Sequence, residues 1–314
     1  AISQMPEVDA AFVALDAEDG SYRAMVGGFE FSRNQFNHVT SAWRQPGSSI
    51  KPFVYSAALE KGFSPASLLN DAPLSLPGGA DGQPWEPRND DGFDGPISLR
   101  QALARSKNII AVRLLQAITP QYARDYLQRF GFDAAKHPAN LTLTLGSGSV
   151  TPLQMARAYT CLARPGGDVI PVTLLKRDTP VSGVRVYSPD TAREIRHMLQ
   201  LAAGPGGTGP LAQTQGYSVG GKSGTAHKQE GKGYAANKYR SWFVGMAPIS
   251  NPRIVVAVMI DEPSKGVYFG GLVAAPVFSQ VVQQTLRLMN VAPDLEVAPQ
   301  IMAAKAAPAE RESF

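Results

Sequence analysis

The chain has 314 residues, 44% of them hydrophobic and 18% charged, which supplies a packed core for one large domain or two moderate ones. Its formal charge of +4 comes from dispersed Lys and Arg with no basic block, which argues against nucleic acid as the principal partner and suits an anionic polymer or membrane surface. Cys161 is the only cysteine, so an intramolecular disulfide is excluded, and no segment reaches the roughly 18 apolar residues that span a bilayer.

The start at Ala1, without an initiator Met, is expected of a portion excised from something longer. Ala11–Asp16 and Tyr22–Gly27, joined by a turn containing Gly20, predict a β-hairpin. From Ser48 the residues Ile50, Phe53, Val54, Ala57 and Ala58 recur with helical period, Pro52 sits in the first turn, and Gly62 supplies the stop. The Pro-, Gly- and Asp-rich stretch from Pro73 to Gly95 reads as a long surface loop. Ser98-Leu99-Arg100-Gln101 has the form of a capping box, opening a short helix that delivers Ser106-Lys107-Asn108 onto a turn.

Cys161 lies in an apolar helical pattern, Met155 to Ala163, and is read as a small buried hydrophobe. Trp242–Ala247 and Arg253–Ile260 predict a second strand pair, which should join the strand carrying Lys222. Pro276 to Met289 is an amphipathic helix with Val277, Val281, Val282, Leu286 and Met289 on one face, expected to cover the sheet. Strands, then helices, then strands imply one sheet, from about 11–30 and 216–262, with a helical insertion over about 48–200. That body is expected to occupy 1–292, and residues 293–314 read as a flexible tail.

Three short motifs follow one another: Ser48-Ser49-Ile50-Lys51, Ser106-Lys107-Asn108 and Lys222-Ser223-Gly224-Thr225. Singly each has an ordinary reading: Ser48 as a helix cap, Asn108 as a turn residue, Lys222-Ser223-Gly224 as the end of a hairpin. Together they suit serine-based acyl transfer. A serine hydroxyl needs a base within reach, and Lys51, one helical turn from Ser48, serves only if neutral. Burial and a second cation, Lys222, both lower an ammonium pKa. Ser106 is placed to pass a proton between Lys222 and a leaving nitrogen, and Asn108 to hold Lys51 and a substrate peptide group.

Gly220, Gly221 and Gly224 are expected where a substrate backbone lies along the strand. The backbone N–H groups of Ser48 and Thr225 are the expected oxyanion donors, and the hydroxyls of Ser223 and Thr225 the expected partners of a terminal carboxylate. His38, His137, His197 and His227 show no metal spacing, with His227 expected at the rim of the cleft. Trp43, Trp85, Tyr234, Tyr239, Tyr268 and Phe269 are candidate groove aromatics.

The ordered motifs resemble those of the penicillin-binding transpeptidases and serine β-lactamases. From Ala11 to about Ala163 the chain resembles class A, bifunctional penicillin-binding proteins, through Arg44-Gln45-Pro46-Gly47-Ser48, Trp85-Glu86-Pro87-Arg88-Asn89 and Leu145-Gly146-Ser147-Gly148 followed by Thr151-Pro152-Leu153-Gln154. From about Tyr187 it resembles class B, division-type members, through Gly204-Pro205-Gly206-Gly207-Thr208, Gly221 to Ala226, and Phe269-Gly270-Gly271. This mosaic suggests either a join between about Arg164 and Tyr187 or an atypical natural transpeptidase.

The resemblance implies an α+β fold with a five-stranded antiparallel sheet flanked by helices and a helical subdomain. It also implies a Ser48 acyl-enzyme with stem peptides ending in D-Ala-D-Ala, acylation of the same serine by β-lactams, no metal or organic cofactor, and a periplasmic site of action on the inner membrane. A membrane anchor and a glycosyltransferase or pedestal domain, usual in the family, are not found in this sequence. A D,D-carboxypeptidase or β-lactamase differs in letting water attack the acyl-enzyme, and no glutamate motif after Asn108 is evident for that step. A β-lactam sensor is the non-enzymatic alternative.

Overall fold

The strand-forming runs from the two ends of the chain meet in one antiparallel sheet. The computed structural model describes residues 5–296 apart from 79–82, 177, 180–181 and 231–232; residues 297–314 of the expected tail and the side chain of Tyr234 lie outside the described residues. Strands β1 (Asp9–Asp16), β2 (Tyr22–Val26), β7 (Gly220–Glu230), β8 (Gly233–Ala247) and β9 (Ile254–Asp261) are ordered β2-β1-β9-β8-β7. β9 is therefore central, and its nearly unbroken run of buried residues fits a strand covered on both faces.

Alternation along the strands sends side chains into two cores. Val13, Leu15, Trp242, Val244, Val255 and Ala257 face the helical body, while Ala14, Phe243, Val256 and Val258 face helix α8 (Ala275–Leu288). The buried stripe of α8 is Phe278, Val282 and Leu286, each contributing about 2 kcal/mol on burial. The expected face was centred slightly off this line, since Val277 and Met289 are only partly buried and flank it.

The helical body comprises α1 (Lys51–Glu60), α2 (Leu99–Ala104), α3 (Asn108–Ile118), α4 (Pro120–Gln128), α5 (Pro152–Ala163) and α6 (Pro189–Ala203). Two small hairpins, β3 (Leu68–Asp71) with β4 (Gly95–Ser98) and β5 (Asp168–Val169) with β6 (Val184–Arg185), bracket its loops, and α7 (Gly270–Val273) precedes α8. Every residue of α1 from Lys51 to Ala58 is buried, so it is the axis of this layer. It ends as predicted: the Phe63 N–H reaches back to Ala58 O, and Gly62 adopts φ +95°.

Two details differ from expectation. Ser98 does precede α2, but its hydroxyl donates to Gln101 Oε1 (3.0 Å) and caps no backbone N–H, so the predicted box does not form there. A complete box forms instead at Thr151 and Gln154, at the start of α5. The body also extends past residue 292, because the Asp294 carboxylate accepts from Ser218 N–H (2.7 Å) and Leu295 N–H donates to Gly216 O.

Candidate active site

Ser48 lies in a 3₁₀ turn, Gly47–Ile50, that runs directly into α1. Three backbones converge on it with no room for side chains. A Cβ on Gly47 (φ +56°) would stand 2.5 Å from Thr225 O, one on Gly224 would stand 2.2 Å from Pro46 O, and one on Gly146 (φ +76°) would stand 2.3 Å from Gly47 O. This revises the expectation for the glycines: Gly224 admits the backbone at Pro46 and Ser49, Gly221 the Phe243 ring, and Gly220 the Ile249 side chain. The turn is fixed from below by Tyr159 of α5, whose hydroxyl donates to Ser49 O (2.8 Å).

Lys51 follows one turn later, fully buried. Its Nζ donates to Ser106 O (2.6 Å) and Asn108 Oδ1 (2.7 Å) and lies 3.2 Å from Ser106 Oγ. The Asn108 Nδ2 donates to Arg88 O (2.8 Å), which turns the amide oxygen toward Lys51. Ser106 holds a positive φ of 58°, a strained conformation for a non-glycine residue, and Asn108 is the first residue of α3 rather than part of the turn.

Lys222, on β7, is also fully buried; its Nζ donates to Ser223 O (3.1 Å) and Thr208 Oγ1 (3.3 Å). Desolvation dominates both amines. Burial pushes Lys222 down to about 7 against an opposing pull from Asp90. Lys51 is held well below the ordinary lysine range by burial first and by the Lys222 charge second, with Asp90 and Asp91 opposing.

A cavity of about 540 Å³ opens here, lined by Ser48, Ser106, Asn108, Ser223, Gly224 and Thr225 among others. All three motifs thus reach one cleft. Ser48 Oγ is half-buried and, among the described residues, makes no hydrogen bond; neither lysine is bonded to it. Ser106 is bonded to Lys51 and not to Lys222, contrary to the expected relay. Both hydrogens of a neutral Lys51 amine are accounted for by the two carbonyl oxygens, which leaves its lone pair for a hydroxyl proton. Such catalytic contacts commonly tighten only when substrate is bound.

His227, Tyr239, Tyr268 and Phe269 line the cavity as expected, with Tyr239 and Tyr268 stacked at 3.8 Å; Trp43 and Trp85 are not among its lining residues. Cys161 is buried in α5 with its thiol pushed upward by burial, and plays no part here.

Sequence reasoning missed Thr208. Its Oγ1 receives the Ser223 hydroxyl (2.7 Å) and a Lys222 N–H, joining two site residues; the signal was the Gly-rich turn in which it sits. Asn89 was missed too. Its Oδ1 accepts from the N–H groups of Asn108 (2.7 Å) and Ile109 (3.1 Å), acting as the cap of α3 from a distant loop.

Comparison with known proteins places the chain among relatives. The family model for the penicillin binding protein transpeptidase domain matches residues 10–283. Penicillin-binding protein 1A of Neisseria flavescens is 39% identical over 93% of the chain, and that of Escherichia coli (strain K12) is 45% identical over 58%. The apo TP domain of Burkholderia pseudomallei penicillin-binding protein 3 superposes with TM-score 0.80 at 37% identity, covering 92% of this chain and 91% of that one. Penicillin-binding protein 1A of Haemophilus influenzae superposes with TM-score 0.79 at 29% identity, covering 95% of this chain and 50% of that one. The chain spans 38% of the length of the Neisseria flavescens protein and 22% of the Escherichia coli one. Likeness to a penicillin-binding protein 1A and likeness to a penicillin-binding protein 3 each run over more than nine tenths of the sequence, so neither is confined to one half. On the family match and this breadth of identity, the chain belongs to the penicillin-binding protein transpeptidase family.

Proposed function

We propose that this domain is a serine D,D-transpeptidase of peptidoglycan, acting at the extracytoplasmic face of the bacterial inner membrane. Ser48 Oγ attacks the penultimate D-Ala carbonyl of a stem peptide, its proton passing to neutral Lys51. The peptide C–N bond breaks, the departing D-Ala nitrogen takes a proton through Ser106, and an ester on Ser48 remains. An amine from a neighbouring stem then attacks that ester, forming an amide and returning the Ser48 hydroxyl. A β-lactam follows the same first half and stays on the serine. The reaction draws on no metal or organic cofactor.

The observation that carries this reading is a pair of buried lysines, neither with a carboxylate bonded to it, each bonded to residues that line the same cleft as a serine free to be deprotonated. Desolvation is what makes a lysine usable as a base near neutral pH. Gly47, bearing Ser48, abuts Thr225, so that a Cβ there would stand 3.0 Å from Thr225 N; this supports Ser48 and Thr225 N–H as the oxyanion donors, each worth about 3 kcal/mol in the transition state. Ser223 and Thr225 at the cavity wall are assigned to the substrate's terminal carboxylate, with Gly224 keeping their backbone against the Ser48 turn.

The test is intact-protein mass spectrometry after exposure to penicillin, with peptide mapping of the adduct. One adduct on Ser48 is expected, and none in Ser48→Ala. An adduct elsewhere, or one retained in Ser48→Ala, removes Ser48 as nucleophile. Hydrolytic turnover of penicillin faster than about once per minute would make the protein a β-lactamase instead.

A further inference from the structure

The loop from Arg88 to Asp94 is bolted to the Ser106–Asn108 turn. Asn89 Nδ2 donates to Asp71 Oδ1 and Gly92 O, both at 2.7 Å, while its Oδ1 caps α3. Lys107 Nζ binds Asp91 (2.7 Å), Asp94 (2.8 Å) and Gly92 O (3.2 Å). Arg105 bridges the same two carboxylates, Asp91 at 3.0 Å and Asp94 at 2.7 Å.

Two polar side chains of the loop, Arg88 and Asp90, are left out of this clamp, and of these Asp90 lines the cavity that holds Ser48. Asp90 is exposed, lines the cavity with Ser48, and has no hydrogen bond or ion pair among the described residues. Asp91 and Arg105 also line the cavity, but they are paired with each other. Asp90 is thus the uncompensated carboxylate of the cleft, presented on a rigid loop. Its charge works against the free amines of Lys51 and Lys222, so it does not assist the first half of the reaction.

We propose that Asp90 guides the cationic acceptor amine to the Ser48 acyl-enzyme. The inference deepens the transpeptidase reading and rests on it. An acceptor amine travels in water as an ammonium ion, and a fixed carboxylate at the mouth of a cleft raises its local concentration. The second half-reaction then balances as follows. The ammonium gives one proton to solvent, its nitrogen bonds the ester carbonyl carbon, the ester C–O bond breaks, and a second N–H proton passes to Ser48 Oγ. The products are an amide, the free serine and one released proton. Because Asp90 is exposed, its attraction is screened by salt.

The experiment loads Ser48 with a D-alanyl thioester donor and measures how the acyl-enzyme divides between two nucleophiles. Nα-acetyllysine amide carries a single ammonium, and hydroxylamine is uncharged at neutral pH. Wild type should prefer the ammonium-bearing acceptor relative to hydroxylamine. Asp90→Asn should reduce that preference about tenfold, Asp90→Glu should restore most of it, and raising the salt concentration should weaken it in wild type only. An unchanged preference in Asp90→Asn overturns the proposal. So does a preference unchanged while the pH profile of acylation moves, which would leave Asp90 a modulator of the lysines alone. Slower hydrolysis in Asp90→Asn would assign the carboxylate to water and overturn it too. Failure of wild type to form any Ser48 adduct would instead sink the acyl-enzyme reading beneath it.

Discussion

Lys107 and the pair Lys51 and Lys222 have almost no contact with solvent, yet their surroundings push them in opposite directions. Lys107 has Asp71, Asp91 and Asp94 within 3.4 Å, and the favourable charges outweigh its burial and raise its pKa. Lys51 and Lys222 bond only to hydroxyl, amide and carbonyl oxygens, and burial wins. Burial alone therefore does not decide what a lysine does. Whether a carboxylate accompanies it separates a structural rivet from an amine that can act as a base.

The largest way to break the comparison is to remove the two lysines of the proposed site. Lys51→Met or Lys222→Met should each slow acylation by penicillin about a thousandfold, roughly 4 kcal/mol, read from the rate of covalent labelling. Neither should lower the melting temperature much, because each removes a buried amine whose desolvation no counter-ion offsets. A loss of folding in either variant would mean that the amine is structural.

Lys107→Met should do the reverse. It strands the fully buried Asp71 among partners that only partly compensate it, and should cost about 3 kcal/mol of stability, toward the low end for a broken buried pair because Asp91 and Asp94 remain partly hydrated. Denaturant titration reads the loss. Acylation should fall less than in Lys51→Met, since the base itself survives and only its support loosens.

A third difference is in pH. Acylation needs the free amine of Lys51, which burial and then the Lys222 charge hold well below the ordinary lysine range, so its rate should fall by up to tenfold per unit as pH drops through the pKa of that amine, and level off above it. Stability should follow the same direction for Lys222. Its pKa falls from 10.5 unfolded to about 7 folded, so the unfolded chain binds the extra proton across that window and stability rises with pH. Lys222→Met should therefore be more stable than wild type at pH 7, with the gap closing toward pH 10. The contribution of Lys107, whose pKa is raised, is full below 10.5 and is lost as pH climbs through the higher folded value. Differential scanning of both variants across pH separates the two signs.

This contrast marks what the sequence could and could not reveal. Strand runs such as Trp242–Ala247 and the Ser48 helix were legible because period and punctuation are local properties. The three motifs were legible because their residue types in that order have a common chemical use. Lys107 was quoted only as the middle of a motif, since its partners arrive from Asp71, Asp91 and Asp94 across a long loop and no spacing encodes that meeting. Thr208 and Asn89 escaped for the same reason. The box expected at Ser98 failed because the Ser98 hydroxyl turned to the Gln101 side chain, while an identical pattern at Thr151 closed normally. Glycines 220, 221 and 224 were correctly read as sites of close approach, but the neighbour was the protein's own chain.

The smallest test probes the rivet from its other side. Asp71 is fully buried; its Oδ1 accepts from Asn89 Nδ2 (2.7 Å), its Oδ2 from Asp94 N–H (3.0 Å), and Lys107 stands 3.4 Å away. In Asp71→Asn an amide NH₂ must face one of these donors, so one hydrogen bond is lost while Asp91 and Asp94 still hold the cation. A cost of about 1–2 kcal/mol is expected, with Lys107 still charged. If Asp71→Asn is as damaging as Lys107→Met, the buried carboxylate alone is the counter-ion and the outer two are ornaments of the loop. If it is harmless, the clamp is carried by the outer carboxylates, and Lys107 then owes its charge to groups that water can reach.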